Sequence, residues 1–293
     1  MKFFFLEDWE ITKTQNHIEK SKKMGCANSN TKDSKNNISN IEKAKSLITC
    51  FSTGNIDLAS SLLKDSYIQH NLLYPTGKNA FIESVKSLKN APVKTTVKII
   101  RSFQDNDKVV LHSIYNFAGS GEQVAFDIFR FENGLICEHW DNLSKLTPPN
   151  ISGHTQTDGE TNIISNKNTE ISREIGKNFI YDVLHGKSPE KTTSYFNGDF
   201  YIQHNSNIGD GLSGLGNALK QLEENGIKMI YEKTHMILAC GDFVLGVSEG
   251  TFGGKKTTYY DLFRIKNQKI TEHWDVMEEM LPEDQWKNKN GKF

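Results

Sequence analysis

No two cysteines stand at CxxC spacing, because Cys26, Cys50, Cys137 and Cys240 are scattered singly along the chain. Such placement excludes a sequence-local zinc knuckle and gives no repeated disulfide, so a reducing, cytoplasmic setting is expected. Neither sign of charge dominates. Thirty-five basic side chains oppose 36 acidic ones for a net charge of −1, which leaves no footprint for nucleic acid or an anionic membrane as main partner. Long apolar runs are missing as well. Phe3–Leu6 is followed at once by Glu7 and Asp8, too short for a signal-peptide core and far short of the roughly 20 residues of a membrane span. The string MGCANS at Met24–Ser29 fits a myristoylation pattern, with Cys26 placed for a second acyl chain. Within the chain Gly25 has no free amine, so tethering is expected only if translation starts at Met24. Otherwise residues 1–36 read as a polar arm.

What the chain does have is repetition. Its 293 residues, 36% hydrophobic and 10% aromatic, suffice for two ordinary globular domains. YIQHN occurs at Tyr67–Asn71 and again at Tyr201–Asn205, and EHWD at Glu138–Asp141 and again at Glu272–Asp275. From 67 to 201 and from 138 to 272 the offset is 134 residues, and Asp127/Asp261 and Gly77/Gly211 keep it. A constant offset across several landmarks marks a tandem duplication. Between the copies Pro148–Asn168 is rich in Pro, Gly, Thr and Asn and lacks hydrophobic period, as a linker would. The expected domains are 37–147 and 169–282, followed by a charged tail, 283–293.

Each copy shows helical periodicity first and strand-like runs afterwards. Ser39-Asn40-Ile41-Glu42 has capping-box spacing, Ile41, Ala44, Leu47, Ile48 and Phe51 recur at helical intervals, and Gly54 stops the run. Ile171, Ile175, Phe179 and Val183 repeat that face before Gly186. A short helix with Leu58, Leu62 and Leu63 leads to YIQHN, and Phe81, Val85 and Leu88 mark a third helix, matched by Leu215, Leu219 and Leu222. Strands are expected over Val93–Arg101, Val109–Phe117, Val124–Phe131 and Leu135–Asn142. Helices followed by an antiparallel sheet make an α+β unit.

The turn between the last two strands decides which polar side chains share a face. A two-residue Asn133-Gly134 turn sets Asp127 opposite Trp140, whereas a three-residue loop with Gly134 as a bulge sets Asp127 opposite His139. Copy two has Asn267-Gln268 at the turn, and Gln is a poor residue for a left-handed backbone, which favours the bulged loop. Asp127, His139 and Asp141 then project from one face with Cys137 and Phe129, and Glu138 and Trp140 from the other. Two carboxyls and an imidazole on one face suit general acid–base chemistry; the alternative is a buried polar network that only fixes the fold. His70, His204, Asn71 and Asn205 end a short strand, and His112 has Gly246 as its counterpart, so two active copies would differ in specificity. No sequence-local ligand spacing supports a metal held by His70, His139 and Asp141; no metal and no cofactor are expected.

On these strings, YIQHN, FDIFRFENG with EHWDNL, and YDLFRI with TEHWDV, the chain resembles the SnoaL-like family of the nuclear-transport-factor-two-like superfamily, over about 225 of 293 residues. The resemblance implies two tandem cone-shaped α+β barrels, helices packed on a curved and mainly antiparallel sheet. SnoaL-type polyketide cyclases close a ring by aldol condensation without metal or cofactor. Their general acid–base aspartate matches Asp141 and Asp275, with His139 and His273 beside it. Similarity to ketosteroid isomerase places Asp127 and Asp261 at an oxyanion-hole carboxyl. No carboxylate stands near His70-Asn71 or His204-Asn205, which argues against that isomerase's mechanism, and no Asp-Arg-Asp arrangement for epoxide hydrolysis is identified.

The expected function is therefore aldol-type cyclisation or isomerisation of a small, hydrophobic carbonyl compound. Asp141, His139, Asp127, Asp275, His273 and Asp261 carry the chemistry; Tyr67, His70, Asn71, His112, Phe129, Tyr201, His204, Asn205 and Phe263 line the pockets. The rival reading is a non-catalytic module of the same fold that binds a small ligand or a partner. Superfamily members commonly dimerise through their sheets, so the copies are expected to form that dimer within one chain, with Trp140 and Trp274 at the contact and a further homo-oligomer compatible; the alternative is two independent beads on the Pro148–Asn168 linker.

Overall fold

The computed structural model describes residues 38–293; Phe3–Leu6 and Met24–Ser29, read above for targeting and acylation, lie outside them. Copy one opens with α1 (Asn40–Thr53), whose Ser39 hydroxyl accepts from the Glu42 N–H at 3.2 Å. Gly54 closes the helix in the left-handed region at φ 66°, its N–H on the Cys50 carbonyl at 2.8 Å, a geometry that glycine adopts without Cβ strain. Ala44, Leu47 and Ile48 form its buried stripe. Then come α2 (Ile56–Leu62), β1 (Leu63–Gln69) and α3 (Lys78–Lys89). Four long strands complete the copy: β2 (Thr96–Asp105), β3 (Lys108–Asn116), β4 (Gln123–Glu132) and β5 (Leu135–Lys145). The sheet order is β1-β5-β4-β3-β2, with β1 parallel to β5 and the other pairs antiparallel.

Copy two repeats the plan with a looser entry. Helix α4 (Thr169–Phe179) runs into a π-helical turn, Ile180–Leu184, and a 3-10 helix, Pro189–Tyr195, stands where copy one has α2. After β6 (Ile202–Gln203) and α5 (Gly211–Glu224) come β7 (Met229–Cys240), β8 (Phe243–Phe252), β9 (Lys255–Lys266) and β10 (Lys269–Glu279), ordered β6-β10-β9-β8-β7. Both copies are thus α+β cones, each with helices on one face of a five-stranded sheet. Among the described residues no helix is long and apolar enough to cross a membrane.

The register at the β4–β5 turn corrects the sequence expectation. Asn133 (φ 52°) and Gly134 (φ 77°) make a two-residue left-handed turn, and Asn267 (φ 52°) and Gln268 (φ 61°) do the same. The ladder pairs Glu132 with Leu135 and Phe131 with Ile136, slips by one residue, and resumes with Arg130 opposite Glu138 and Asp127 opposite Asp141. Copy two slips between Ile270 and Glu272 and sets Asp261 opposite Asp275. The extra residue is Cys137 or Thr271. Its side chain points at a carbonyl across the ladder, Cys137 Sγ to Arg130 O at 3.3 Å and Thr271 Oγ1 to Arg264 O at 3.1 Å. The bulge therefore sits in the second strand rather than in the loop. Gln268 takes a positive φ because the tight turn has to match the strand twist.

The outer faces of the two sheets meet. Phe103, Val110, Phe126, Ile128 and Trp140 of copy one pack in one buried cluster with Leu238, Phe243, Leu245, Leu262 and Trp274 of copy two. At its margin the buried Asn142 amide donates to the carbonyls of Thr258 (3.2 Å) and Val276 (2.8 Å), and the Thr258 hydroxyl bonds to its oxygen. Asp105 accepts from Arg173 at 2.7 Å and from the Ala239 N–H at 2.9 Å. These bonds satisfy polar groups that the apolar layer would otherwise strand.

Two arms then cross between the copies. Residues 148–168 contain no regular element, yet the buried Asn150 amide donates to the carbonyls of Gln203 (2.6 Å) and Ile208 (2.9 Å) in copy two. The terminal segment answers in reverse: the Asn288 amide donates to Asn71 O and Tyr74 O, both at 2.9 Å, in copy one. Asn150-Ile-Ser-Gly-His and Asn288-Lys-Asn-Gly-Lys share a spacing that the 134-residue offset does not align, which hid the exchange in the sequence.

Two stability changes are expected. Trp274→Ala should cost about 3–5 kcal/mol, the usual range for emptying a buried aromatic site, measured by urea unfolding. Asn288→Ala should cost about 1–3 kcal/mol by stranding two carbonyls; an unchanged midpoint would show that the terminal arm is not fastened.

Candidate functional site

Alternation along β4 and β5, once the bulge has set the register, turns Asp127, Phe129, His139 and Asp141 into the first cone. All four are buried. The His139 Nε2 lies 3.0 Å from Asp127 Oδ1 and its Nδ1 3.1 Å from Gln69 Oε1, while its ring stacks on Phe129 at 4.4 Å. The Tyr115 hydroxyl donates to Asp127 Oδ2 at 2.7 Å. Burial pushes the Asp127 carboxyl above the usual aspartate range, against the pull of the His139 contact, and burial with the adjoining Asp127 pushes the Tyr115 phenol well up.

Asp141 is held differently. The Asn71 amide donates to its Oδ2 at 2.9 Å. Its Oδ1 is buried without a hydrogen-bond partner among the described residues, with the Lys292 ammonium of the terminal arm 3.7 Å away. Lys292 is itself buried and donates to Glu278 at 2.7 Å. Burial raises the Glu278 carboxyl, opposed by Lys292. Copy one is therefore completed by β10 and the tail of copy two. A pocket of about 10 Å³ is lined among others by Asn71, Glu278 and Lys292, and Asp141 is not part of its lining. A larger cleft, about 450 Å³, is lined by Ser60, Lys64, Lys78 and Leu135 and shares no residue with either triad.

The second cone repeats the core of this arrangement. His273 Nε2 is 3.1 Å from Asp261 Oδ1, its Nδ1 3.1 Å from Gln203 Oε1, and Asn205 donates to Asp275 Oδ2 at 2.7 Å. Phe263 stacks on His273 at 4.8 Å. Its phenol comes from another strand, Tyr231 of β7, 3.2 Å from Asp261 Oδ2. Asp275 is partly exposed, and burial of its surroundings still raises its carboxyl.

Several expected pocket residues lie elsewhere. Tyr67 and Tyr201 are inside the cones, their phenols pushed well up by burial and then by the paired aspartates. His112 is not: it stacks on Phe126 at 4.2 Å in the layer between the sheets, with Arg101 Nη1 3.0 Å from its Nδ1. Burial, then Arg101, holds its pKa well below the ordinary histidine value. His70 and His204 also face outward. They stack on Trp140 (4.8 Å) and Trp274 (4.6 Å) and bond to Glu138 (3.0 Å) and Glu272 (2.9 Å). A metal group of His70, His139 and Asp141 is accordingly not assembled. The ligand-type atoms of Asp127, His139 and Asp141, and of Asp261, His273 and Asp275, do converge within 4.8 Å. Gln69 and Gln203, which orient the histidines, were missed although they are the third letter of YIQHN.

Fold and site together define an α+β cone protein, written twice, with an Asp-His-Asp group inside each cone. Residues 44–139, about a third of the chain, match the SnoaL-like domain family. No curated protein sequence matches the chain. Among solved structures it is similar to an NTF2-like protein of unknown function from Cytophaga hutchinsonii (16% identity, 38% of this chain and 94% of that one, TM-score 0.33). It is also similar to an LEH-like epoxide hydrolase from M. tuberculosis (16%, 36% and 81%, TM-score 0.33). A third is a protein with a ketosteroid isomerase-like fold from Catenulispora acidiphila (14%, 38% and 88%, TM-score 0.31).

The raised Asp275 carboxyl fixes the sign of a pH effect. The native state holds this proton more tightly than the unfolded chain, so the stability it contributes is complete below the ordinary value of 3.8 and is lost as pH rises through the higher native value. Asp275→Asn removes that loss. Its stability relative to the parent should climb over this window in urea titrations, and a flat difference would refute the shift.

Proposed function

We propose that the chain is a cofactor-independent, SnoaL-like protein that moves a proton at the carbon α to a carbonyl of a small hydrophobic compound, in aldol-type cyclisation or isomerisation. One observation carries the reading. The Asp141 carboxylate is oriented by Asn71 through one oxygen and keeps the other, buried Oδ1 without a hydrogen bond. A carboxylate fixed on one side and free on the other is suited to general-base work. Asp127, raised by burial and bonded to Tyr115 and His139, is suited to keep a proton near an enolate oxygen. Lys292 supplies a positive charge beside the base in copy one, so we assign different specificities to the two cones. In this reading the copies work as a pseudo-dimer within one chain, each cone closed by the arm that leaves the other.

The competing function is a module that binds a small ligand without converting it, and the closed Asp127–His139–Gln69 network is what favours it. A thermal-shift screen of carbonyl compounds, followed by turnover assays on the hits, separates the two. With a converted compound in hand, Asp141→Asn combined with Asp275→Asn should lower kcat by about 10²–10⁴-fold, the span of general-base catalysis. Binding without turnover, or turnover untouched by the double substitution, would remove the catalytic proposal.

A further inference from the structure

Outside the cones, the first arm and the second copy bring two histidines and an aspartate together. His204 is buried with its ring flat on Trp274. Its Nε2 lies 2.9 Å from Glu272 Oε1, and the other oxygen of that carboxylate accepts from Arg264 at 2.6 Å. His154 comes from the arm, and its Nε2 lies 3.2 Å from Asp210 Oδ2. The two remaining imidazole nitrogens turn toward one carboxylate, with His204 Nδ1 2.7 Å from Asp158 Oδ1 and His154 Nδ1 3.5 Å from Asp158 Oδ2. The ligand-type atoms of the three residues lie within 4.8 Å of one another.

We infer that His154, Asp158 and His204 form a binding site for a divalent transition-metal ion of the zinc class, which fastens the crossing arm to the second copy. Metal-bound histidines almost always give their far ring nitrogen to a carboxylate or carbonyl, which fixes tautomer and ring direction. Both histidines here do so, toward Glu272 and Asp210. Bonds of about 2.0–2.2 Å in a tetrahedral site put neighbouring ligand atoms roughly 3.2–3.5 Å apart. The observed 2.7 and 3.5 Å, to the two oxygens of Asp158, lie on either side of that separation, and the three ligand-type atoms stay within 4.8 Å of one another. Two imidazoles and one carboxylate select Zn²⁺, Co²⁺ or Ni²⁺ over Mg²⁺ and Ca²⁺, which prefer all-oxygen sets. The Thr155 carbonyl, 2.8 Å from His204 Nδ1, stands near enough to share the coordination. Asp158 and His154 are partly open to solvent, with side chains 42% and 31% exposed, which gives an ion access.

The other arm supplies an internal control. At copy one the Nδ1 of His70 meets the Gly291 carbonyl at 2.9 Å, and Lys292 occupies the place that His154 holds after the shared Asn-x-x-Gly spacing. A lysine ammonium has no lone pair to give. Among the described residues one such site is therefore specified, distinct from the two cone triads.

The test uses the full chain without an affinity tag, stripped with EDTA and dialysed. It is titrated with ZnCl2 by calorimetry and with CoCl2 by visible absorption. About one ion per chain should bind, with Co²⁺ bands of a low-coordinate nitrogen–oxygen site, and Zn²⁺ should raise the Tm. His154→Ala, at a side chain about a third exposed, should weaken binding at least 10-fold, as should Asp158→Asn. Asp210→Asn should weaken it by about 10-fold, the effect of losing an orienting partner. Circular dichroism of each variant verifies the fold. Absence of binding to the parent chain overturns the inference. So does equal binding by the parent and His154→Ala, which would place the ion at a cone triad or nowhere specific.

Discussion

One irregularity in each copy, in the β4–β5 ladder and in the β9–β10 ladder, governs this molecule. The bulge at Cys137 and at Thr271 sets which way every later side chain of EHWD points. Because a strand alternates faces, a slip of one residue would exchange the two sets completely. With the bulge in place, His139 and Asp141 enter the cone while Glu138 and Trp140 meet the other copy. The same slip brings Asp127 directly opposite Asp141, pairing two carboxyls across a buried ladder. Repulsion there is tempered by Asn71 on one and by Tyr115 and His139 on the other.

The outward half of the tetrapeptide organises the arms. Trp274 lies between His204 on one face and the Arg101 guanidinium, 4.2 Å from its ring, on the other. Arg101 belongs to copy one, and it donates to the carbonyls of Thr157, Asp158 and Glu160 in the crossing segment. Trp274 Nε1 donates to Asp158 O at 2.9 Å, whereas Trp140 Nε1 has no partner among the described residues. An indole donor buried without an acceptor is costly, so the second copy grips its arm more completely than the first. Burial of an arginine among backbone carbonyls lowers its pKa to about 10, with Glu272 and Asp158 pulling the other way, so the cation persists at neutral pH.

Duplication supplied a symmetric frame that point changes have since made unequal. Tyr115 serves Asp127 from β3, and Tyr231 serves Asp261 from β7; the phenol has changed strands while the contact has stayed. Copy one keeps a full α2 and a seven-residue β1, where copy two has a 3-10 helix and a two-residue β6. The arms differ at Ile151/Lys289, Ser152/Asn290 and His154/Lys292 of the shared spacing. The last of these gives one cone a buried cation next to its aspartate and gives the other copy an imidazole-rich cluster on its flank.

Much of this was legible in the amino-acid sequence, and the reasons are local. Constant offset between YIQHN and EHWD reveals duplication because repeats retain spacing. Ser39, Glu42 and Gly54 mark a helix because caps and left-handed ends demand those residue types. Alternation separates His139 and Asp141 from Glu138 and Trp140 under any register in which the strand runs unbroken past them. The exact opposition of Asp127 with Asp141 was hidden, because a bulge inside a strand leaves no residue signature at Cys137 or Thr271. Gln268 misled for the same reason: its backbone is dictated by the turn rather than by its own preference. His70, His112 and His204 belong to the outer layer, and Asn150 and Asn288 clamp opposite copies, because those placements depend on which surfaces meet. Helix ends, strand faces and repeats are set by neighbours a few residues away and so are written in the chain itself. The arm exchange, the Lys292–Asp141 contact and the His154–Asp158–His204 cluster join residues far apart in sequence, and only the packing of one sheet on the other decides them.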